Sequence, residues 1–262
     1  MQSQNKTNKN GRLYIVGIGP GSIDHMTVKA CDVLKRSDCI IGNGTYLDQI
    51  SDFIEGQEII RSSMGKEVDR ATRAVKLSQN KEVSIISGGD ANVYGMAGLV
   101  LEVAEKTGLD VDIEVVPGVT AITAAASILG APIVNDFATI SLSDLLTPWE
   151  MIEKRLDAAA SSDFVISLYN PKSRQRKSNF SKAIDIIKKH RDPSVPVGLV
   201  KNALRGNDED TVVTTLEEVL NYNDWVDMST TILVTNSESR IWENNGTKRI
   251  ITPRGYHRKY EY

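Results

Sequence analysis

The chain has two cysteines in 262 residues, Cys31 and Cys39, and they do not form a Cys-x-x-Cys pair. That rules out a disulfide scaffold and a cysteine-ligated zinc site, and it fits a reducing cytosol. The three histidines, His25, His190 and His257, are scattered, so no resident metal is expected. No apolar run approaches the ~20 residues that a membrane-spanning helix needs. The formal net charge of −3 lacks the basic surplus usual in nucleic-acid binders, although a local basic pocket remains open. There is no Gly-x-x-x-x-Gly-Lys-Ser/Thr phosphate loop and no Ser/His/Asp or Cys/His arrangement. Residues 1–10, "MQSQNKTNKN", are polar without an apolar stretch and read as a disordered leader rather than a signal peptide.

What is present alternates between strand and helix. "RLYIVG", "DCIIG", "QEII", "EVSIISG" and "VDIEVVPG" read as strands rich in β-branched residues, separated by segments with apolar residues at helical spacing. That alternation implies parallel pairing through crossover helices. After "PGVTAITAAASILGAP" the texture changes. "FATISLS", "DFVISLYN", "VPVGLVKN", "DTVVTTLEE" and "TTILVTN" read as strands, some with only short links, which predicts a mixed sheet. The expected organisation is an N-terminal α/β domain over 11–116, a C-terminal α/β domain over 117–251, a cleft between them, and a basic tail over 252–262.

Three turns at strand ends stand out. "GIGPG" holds Gly17, Gly19, Pro20 and Gly21 directly after a strand. A Rossmann dinucleotide site would need a glycine where Ser22 stands and an acidic residue ending the next strand, which instead ends "IIGNG". A plain tight turn is the alternative reading. "SGGDANVYG" places Gly88 and Gly89 where a backbone can approach a ligand closely. Asp90 there either caps a helix starting at about Ala91 or meets a ligand hydroxyl or amine. "PGVTA" leads into "TAAASILGA", whose alanines read as helix-on-helix core. Three such loops without a phosphate-loop lysine suggest a nucleoside ligand lacking phosphates.

Taken together, the three loops resemble the tetrapyrrole (corrin/porphyrin) methylases, and the resemblance runs from Gly11 to about Asn236. It implies two α/β domains of that family's type, distinct from the Rossmann-type methyltransferase fold, with S-adenosylmethionine as co-substrate in the cleft. By position, it implies cofactor contacts at Gly17, Pro20, Gly88, Gly89, Asp90, Tyr94, Thr120 and Ala121. On weaker local similarity it adds Tyr169, Asn170, Asn202, Ala203, Thr230 and Thr231, for which ordinary strand-end residues are the alternative. Four further stretches, "SSMGKEVDRA", "ISLSDLLTPWE", "LYNPKSRQR" and "TPRGYHRKY", are similar to the branch acting on precorrin-3B or cobalt-factor III. That branch methylates carbon 17 and drives ring contraction in cobalamin biosynthesis, as a cytoplasmic homodimer.

A substrate with many carboxylate arms calls for guanidinium forks and ammonium groups. Arg61, Lys66, Lys172, Arg174, Arg176, Arg254 and Lys259 are the candidates, with the tail expected to fold over the substrate. Methyl transfer from a sulfonium to an electron-rich carbon needs positioning more than a nucleophilic side chain. Ring contraction also needs proton transfer. The polar run Ser141, Ser143, Asp144 and Thr147 supplies Asp144, with Ser143 beside it, as the acid–base candidate. A helix start at Thr147-Pro148 is the competing reading of that run. Two other functions stay open from sequence: a sister methyltransferase acting at another ring carbon, and a non-catalytic nucleotide-binding module.

Overall fold

The computed structural model describes residues 11–262; the expected leader at 1–10 lies outside the described residues. The chain divides into two compact units, the first ending at Thr120 and the second spanning Ala121–Tyr262. Among the described residues, no helix is long and apolar enough to cross a membrane.

The first unit is built on strands β1 (Arg12–Gly17), β2 (Cys39–Asn43), β3 (Glu58–Ser62), β4 (Glu82–Ser87) and β5 (Asp112–Val116). Helices α1 (Val28–Arg36), α2 (Gly44–Gln49), α3 (Glu67–Leu77) and α4 (Ala97–Thr107) connect them. The sheet order is β3-β2-β4-β1-β5, and every pairing is parallel. Successive β1 residues bury against opposite faces: Leu13 and Ile15 join one core with Ile41 and Ile85, while Tyr14 and Val16 join another with Ile40 and Ile86. A strand covered on both faces must be apolar throughout, which explains the unbroken runs in the sequence. Thr27 caps α1 by accepting the Ala30 N–H at 3.1 Å. Gly108 ends α4 at φ 62°, the left-handed position a helix C-terminus favours.

The second unit contains α5 (Ala121–Leu129), β6 (Gly130–Ala131), β7 (Phe137–Ser141), α6 (Trp149–Ser161), β8 (Val165–Tyr169) and α7 (Asn179–Ile187). Then come β9 (Pro196–Lys201), β10 (Asp210–Thr215), β11 (Thr230–Val234), β12 (Arg240–Asn244) and β13 (Thr247–Ile251). The main sheet runs β10-β9-β11-β8-β7; β7 and β8 pair in parallel, while β11 runs antiparallel to both β8 and β9. This is the mixed sheet that the short links predict. Helix α5 packs on β9, β10 and β11, so its alanines fit a helix closely to a sheet rather than to another helix. A hairpin not expected from the sequence follows: β12 and β13 pair antiparallel across Asn245-Gly246, with φ of 51° and 73°. Two positive φ values in a two-residue link mark the turn whose twist suits a hairpin.

Burial pushes the Cys39 thiol up to about 11, with the Glu58 carboxylate adding to the effect. Thiolate is the reactive form, so at pH 8 iodoacetamide should label native protein at Cys31 alone. Cys39 should react only on unfolding or as pH approaches 11. Mass spectrometry of the labelled peptides checks this.

Candidate functional site

All five strands of the first unit are parallel, so their C-terminal ends share one edge, where open α/β sheets bind ligands. The strands that carry the three glycine loops, β4, β1 and β5, lie side by side in that sheet. The loops are knitted together. Ile18 N–H donates to Ser87 O and Gly19 N–H to Gly89 O, both at 2.9 Å, extending the β1–β4 ladder past the strands. A Cβ on Gly19 would lie 2.1 Å from Val119 O and 2.3 Å from Gly89 Cα; one on Gly118 would lie 2.3 Å from Gly89 O. On Gly17 it would meet Gly118 N at 2.7 Å. These glycines let three loops touch one another, forming one rigid floor.

Asp90 is the clasp. Its Oδ1 accepts the Asn92 N–H at 2.8 Å and its Oδ2 accepts the Gly118 N–H at 3.0 Å, joining the second loop to the third. It caps no helix, because α4 starts only at Ala97. Residues 91–96 are a turn in which Tyr94 takes φ 53°, a left-handed conformation costly for an aromatic residue, and its side chain is 55% exposed. The apolar spacing from Asn92 onward suggested helix. Packing among the loops overrides it. Beneath Gly88 lies the ring of Tyr46, 2.5 Å from where a Cβ would stand, a contact that no sequence signal indicated.

The second unit gathers its predicted residues just as closely. Tyr169 ends β8, Asn202 follows β9, and Thr230 begins β11 opposite Lys201, so antiparallel pairing puts all three on one edge. Asn170 and Asn202 also adopt positive φ, 51° and 50°. Non-glycine residues held in this region concentrate at ligand sites. The Tyr169 hydroxyl accepts the Ile122 N–H at 2.7 Å, fixing the start of α5 next to Ala121, while Asn170 Nδ2 donates to Ser141 Oγ at 3.0 Å. Ala203, Thr230 and Thr231 are buried. The turn before β11 is held by Asp227, which sequence reasoning did not single out. Burial alone would raise its carboxyl, yet hydrogen bonds from Ser229 and Lys201 prevail and hold it below the ordinary range.

The catalytic candidates lie in the loop after β7 on this same edge. Ser143 N–H donates to Ser141 Oγ at 3.2 Å, and Asp144 Oδ1 lies 3.9 Å from Arg176 Nε. Helix α6 begins at Trp149 with Pro148 at its N-cap, which places Asp144 well before the helix start.

The basic candidates divide. Arg174 is exposed on the β8 edge and Arg176 is 18% exposed beside Asp144. Lys172 has structural work: its ammonium donates to Asn223 O at 2.7 Å and lies 3.7 Å from Asp224. In the first unit, Arg61 pairs with Asp48 at 2.7 Å and Lys66 with Asp69 at 3.6 Å, both at the surface. Buried Arg70, from the same stretch as Lys66, donates to Ser62 Oγ and Ser63 O at 2.8 Å and orders that loop. The tail goes elsewhere. Thr252 bonds Ala131 O and Pro132 O, and Arg258 pairs with Glu238, beyond the end of β11 where β8 and β9 begin. Arg254 and Lys259 thus lie toward the opposite edge of the C-terminal sheet from Asn170 and Arg176. A tail closing over that edge of its own unit does not fit this course.

The three floor loops, 17–21, 87–96 and 116–121, contain no lysine or arginine, and Asp90 is their only charged residue. Such a set suits a cationic sulfonium donor and offers a phosphate no cationic side chain. Each Asp90 oxygen retains a lone pair for a ligand hydroxyl or amine.

A family model described as Tetrapyrrole (Corrin/Porphyrin) Methylases matches residues 12–220. A cobalt-factor III methyltransferase from Priestia megaterium is 48% identical over 255 residues, 95% of this chain. The chain spans only 46% of that relative's length, and 54% of a cobalamin biosynthesis protein from Archaeoglobus fulgidus that is 46% identical. It spans 99% of a probable cobalt-factor III C(17)-methyltransferase from Salmonella typhimurium, 43% identical over 93% of this chain. Among solved structures, the methyltransferase CobJ superposes with a TM-score of 0.85 at 31% identity, covering 93% of this chain and all of that one. On its loops, its two α/β units and these likenesses, the chain belongs to the tetrapyrrole (corrin/porphyrin) methylases.

Proposed function

We propose that this protein transfers the methyl group of S-adenosylmethionine to carbon 17 of cobalt-factor III, or of precorrin-3B, and promotes ring contraction in cobalamin biosynthesis. The observation that carries the reading is the floor of three interlocked loops clasped by Asp90, free of cationic side chains, in a member of this family. The relatives, a cobalt-factor III methyltransferase and a probable cobalt-factor III C(17)-methyltransferase, support the choice of substrate and ring carbon.

S-adenosylmethionine supplies an electrophilic methyl on a sulfonium. The chain's part is to hold that donor still and to present the ring carbon to it. Gly17, Pro20, Gly88, Gly89, Asp90, Tyr94, Thr120 and Ala121 form the donor's floor in this reading. On weaker local similarity, Tyr169, Asn170, Asn202, Ala203, Thr230 and Thr231 are further donor-binding candidates. Arg174 and Arg176 meet substrate carboxylates. Asp144, with Ser143, exchanges the proton that contraction requires. The protein works in the cytoplasm as a homodimer, organised as an N-terminal α/β domain over 11–116, a C-terminal α/β domain over 117–251 and a basic tail over 252–262.

Incubation with methyl-labelled S-adenosylmethionine and cobalt-factor III tests the reading. The expected product carries one labelled methyl at carbon 17 and the altered absorbance of a contracted ring. A label at another ring carbon would assign a sister activity, and no transfer to any tetrapyrrole would sink the reading.

A further inference from the structure

The loop after β7 carries two side chains that the fold leaves unused. Leu145 is 81% exposed and Leu146 is 93% exposed. They sit in consecutive positions in a loop whose start is fixed by Leu142 N–H donating to Tyr169 O at 2.8 Å. Scattered exposed leucines are ordinary; adjacent ones on a fixed loop at a ligand edge are not. Their surroundings are specific. The preceding Asp144 faces Arg176, Arg176 Nη2 lies 3.6 Å from the sulfur of Met228, which is itself exposed, and Arg174 stands on the neighbouring loop. The two leucines thus follow directly on the residue that faces Arg176, on the sheet edge that also carries Arg174.

We propose that Leu145 and Leu146 are the contact for the flat apolar face of the tetrapyrrole, while Arg174 and Arg176 take carboxylates from its rim. This inference rests on the proposed function and adds the element that recognises the ring itself. A tetrapyrrole is apolar across its plane and anionic around its rim, and this sheet edge carries the complementary groups. The methyl donor does not match, since its sulfonium would face two arginines. A second copy of the chain does not match either. Two leucines and a methionine fall far short of the roughly 800 Å² a side that a stable interface buries.

The test is the double variant Leu145→Gln/Leu146→Gln in the full chain, which should melt with the wild type because both side chains already face water. Titration with cobalt-factor III, followed by absorbance, should show affinity falling roughly 10- to 100-fold, as expected for losing most of two leucine contacts. Affinity for S-adenosylhomocysteine should stay the same. The salt dependence of tetrapyrrole binding should also stay the same, whereas Arg174→Gln should flatten it. Leu145→Met/Leu146→Met should keep near-wild-type affinity, because it retains the apolar contact and changes only its shape. Tetrapyrrole affinity within twofold of wild type in the glutamine variant overturns the proposal. So does a change in its sedimentation from that of the wild type, which would assign the leucines to a contact between copies. Wild-type protein that binds no tetrapyrrole would overturn the proposed function as well, and the two failures are told apart by that one titration.

Discussion

Replacing Gly19 by alanine is expected to reduce S-adenosylhomocysteine affinity at least 100-fold and to lower the melting temperature by several degrees. The new methyl would stand 2.1 Å from Val119 O and 2.3 Å from Gly89 Cα, and both neighbours are backbone atoms. A flexible side chain could swing aside; two main chains cannot. The Gly19 N–H bond to Gly89 O would have to lengthen or break, separating the first loop from the second. Overpacking a core by a methyl group typically costs ~1–3 kcal/mol, and here the displaced atoms are the floor itself. Gly98→Ala is the matching control. Gly98 lies in α4 with nothing within 4 Å of the added methyl, so alanine there should stabilise the helix by ~0.5–1 kcal/mol and leave affinity unchanged. Calorimetric titration and thermal melts on the pair check both signs. A Gly19→Ala protein that binds the donor normally would mean that the floor is not where the donor sits.

The legible parts of this molecule were those where local pattern and tertiary environment agree. β1 and β4 are buried on both faces, so their sequences are unbroken apolar runs that read directly as strands of a parallel sheet. Helix α6 was visible because Pro148 sets its start and Ile152, Leu156, Ala159 and Ala160 line one face. The three glycine loops were legible as a combination, but the reason for the glycines was not. Contact between Gly19, Gly89 and Gly118 joins residues far apart in the chain, and no single-sequence pattern encodes it. Asp90 looked like a helix cap because an apolar spacing follows it, and that spacing hid the left-handed Tyr94. The β12–β13 hairpin was missed for a different reason. Its first strand is exposed throughout and polar enough to pass for a loop, although Asn245-Gly246 carried the turn signal. The tail's course was beyond sequence altogether, since basic residues show what they would bind and not which edge they reach.

At the other edge of the second unit, Arg191→Met is expected to destabilise the protein by about 3–5 kcal/mol while leaving donor affinity in the surviving folded protein unchanged. The Arg191 side chain is 2% exposed. It donates to Asp163, to Phe164 O at 2.8 Å and to Ala159 O at 3.3 Å, tying the end of α6 and the start of β8 to the segment after α7. Asp163 in turn accepts from Ser237, from the N–H at 3.0 Å and from the hydroxyl at 2.6 Å, so the network also anchors the chain leaving β11. Burying a guanidinium is costly, and these acceptors offset the cost. Burial also holds the Arg191 pKa below its ordinary value, though an arginine remains charged at any physiological pH. Asp163→Ala should therefore be at least as damaging as Arg191→Met, because it strands the charge and also forces alanine into φ 58°. Asp163→Asn should be milder, since asparagine tolerates that backbone and keeps an acceptor. Combining Arg191→Met with Asp163→Asn should cost less than the sum of the two, because neither variant then leaves an unpaired buried charge. Urea unfolding of all four proteins measures each value. Strictly additive losses would show that the pair is not coupled, and that the packing around the arginine's stem, rather than its charge, holds this edge together.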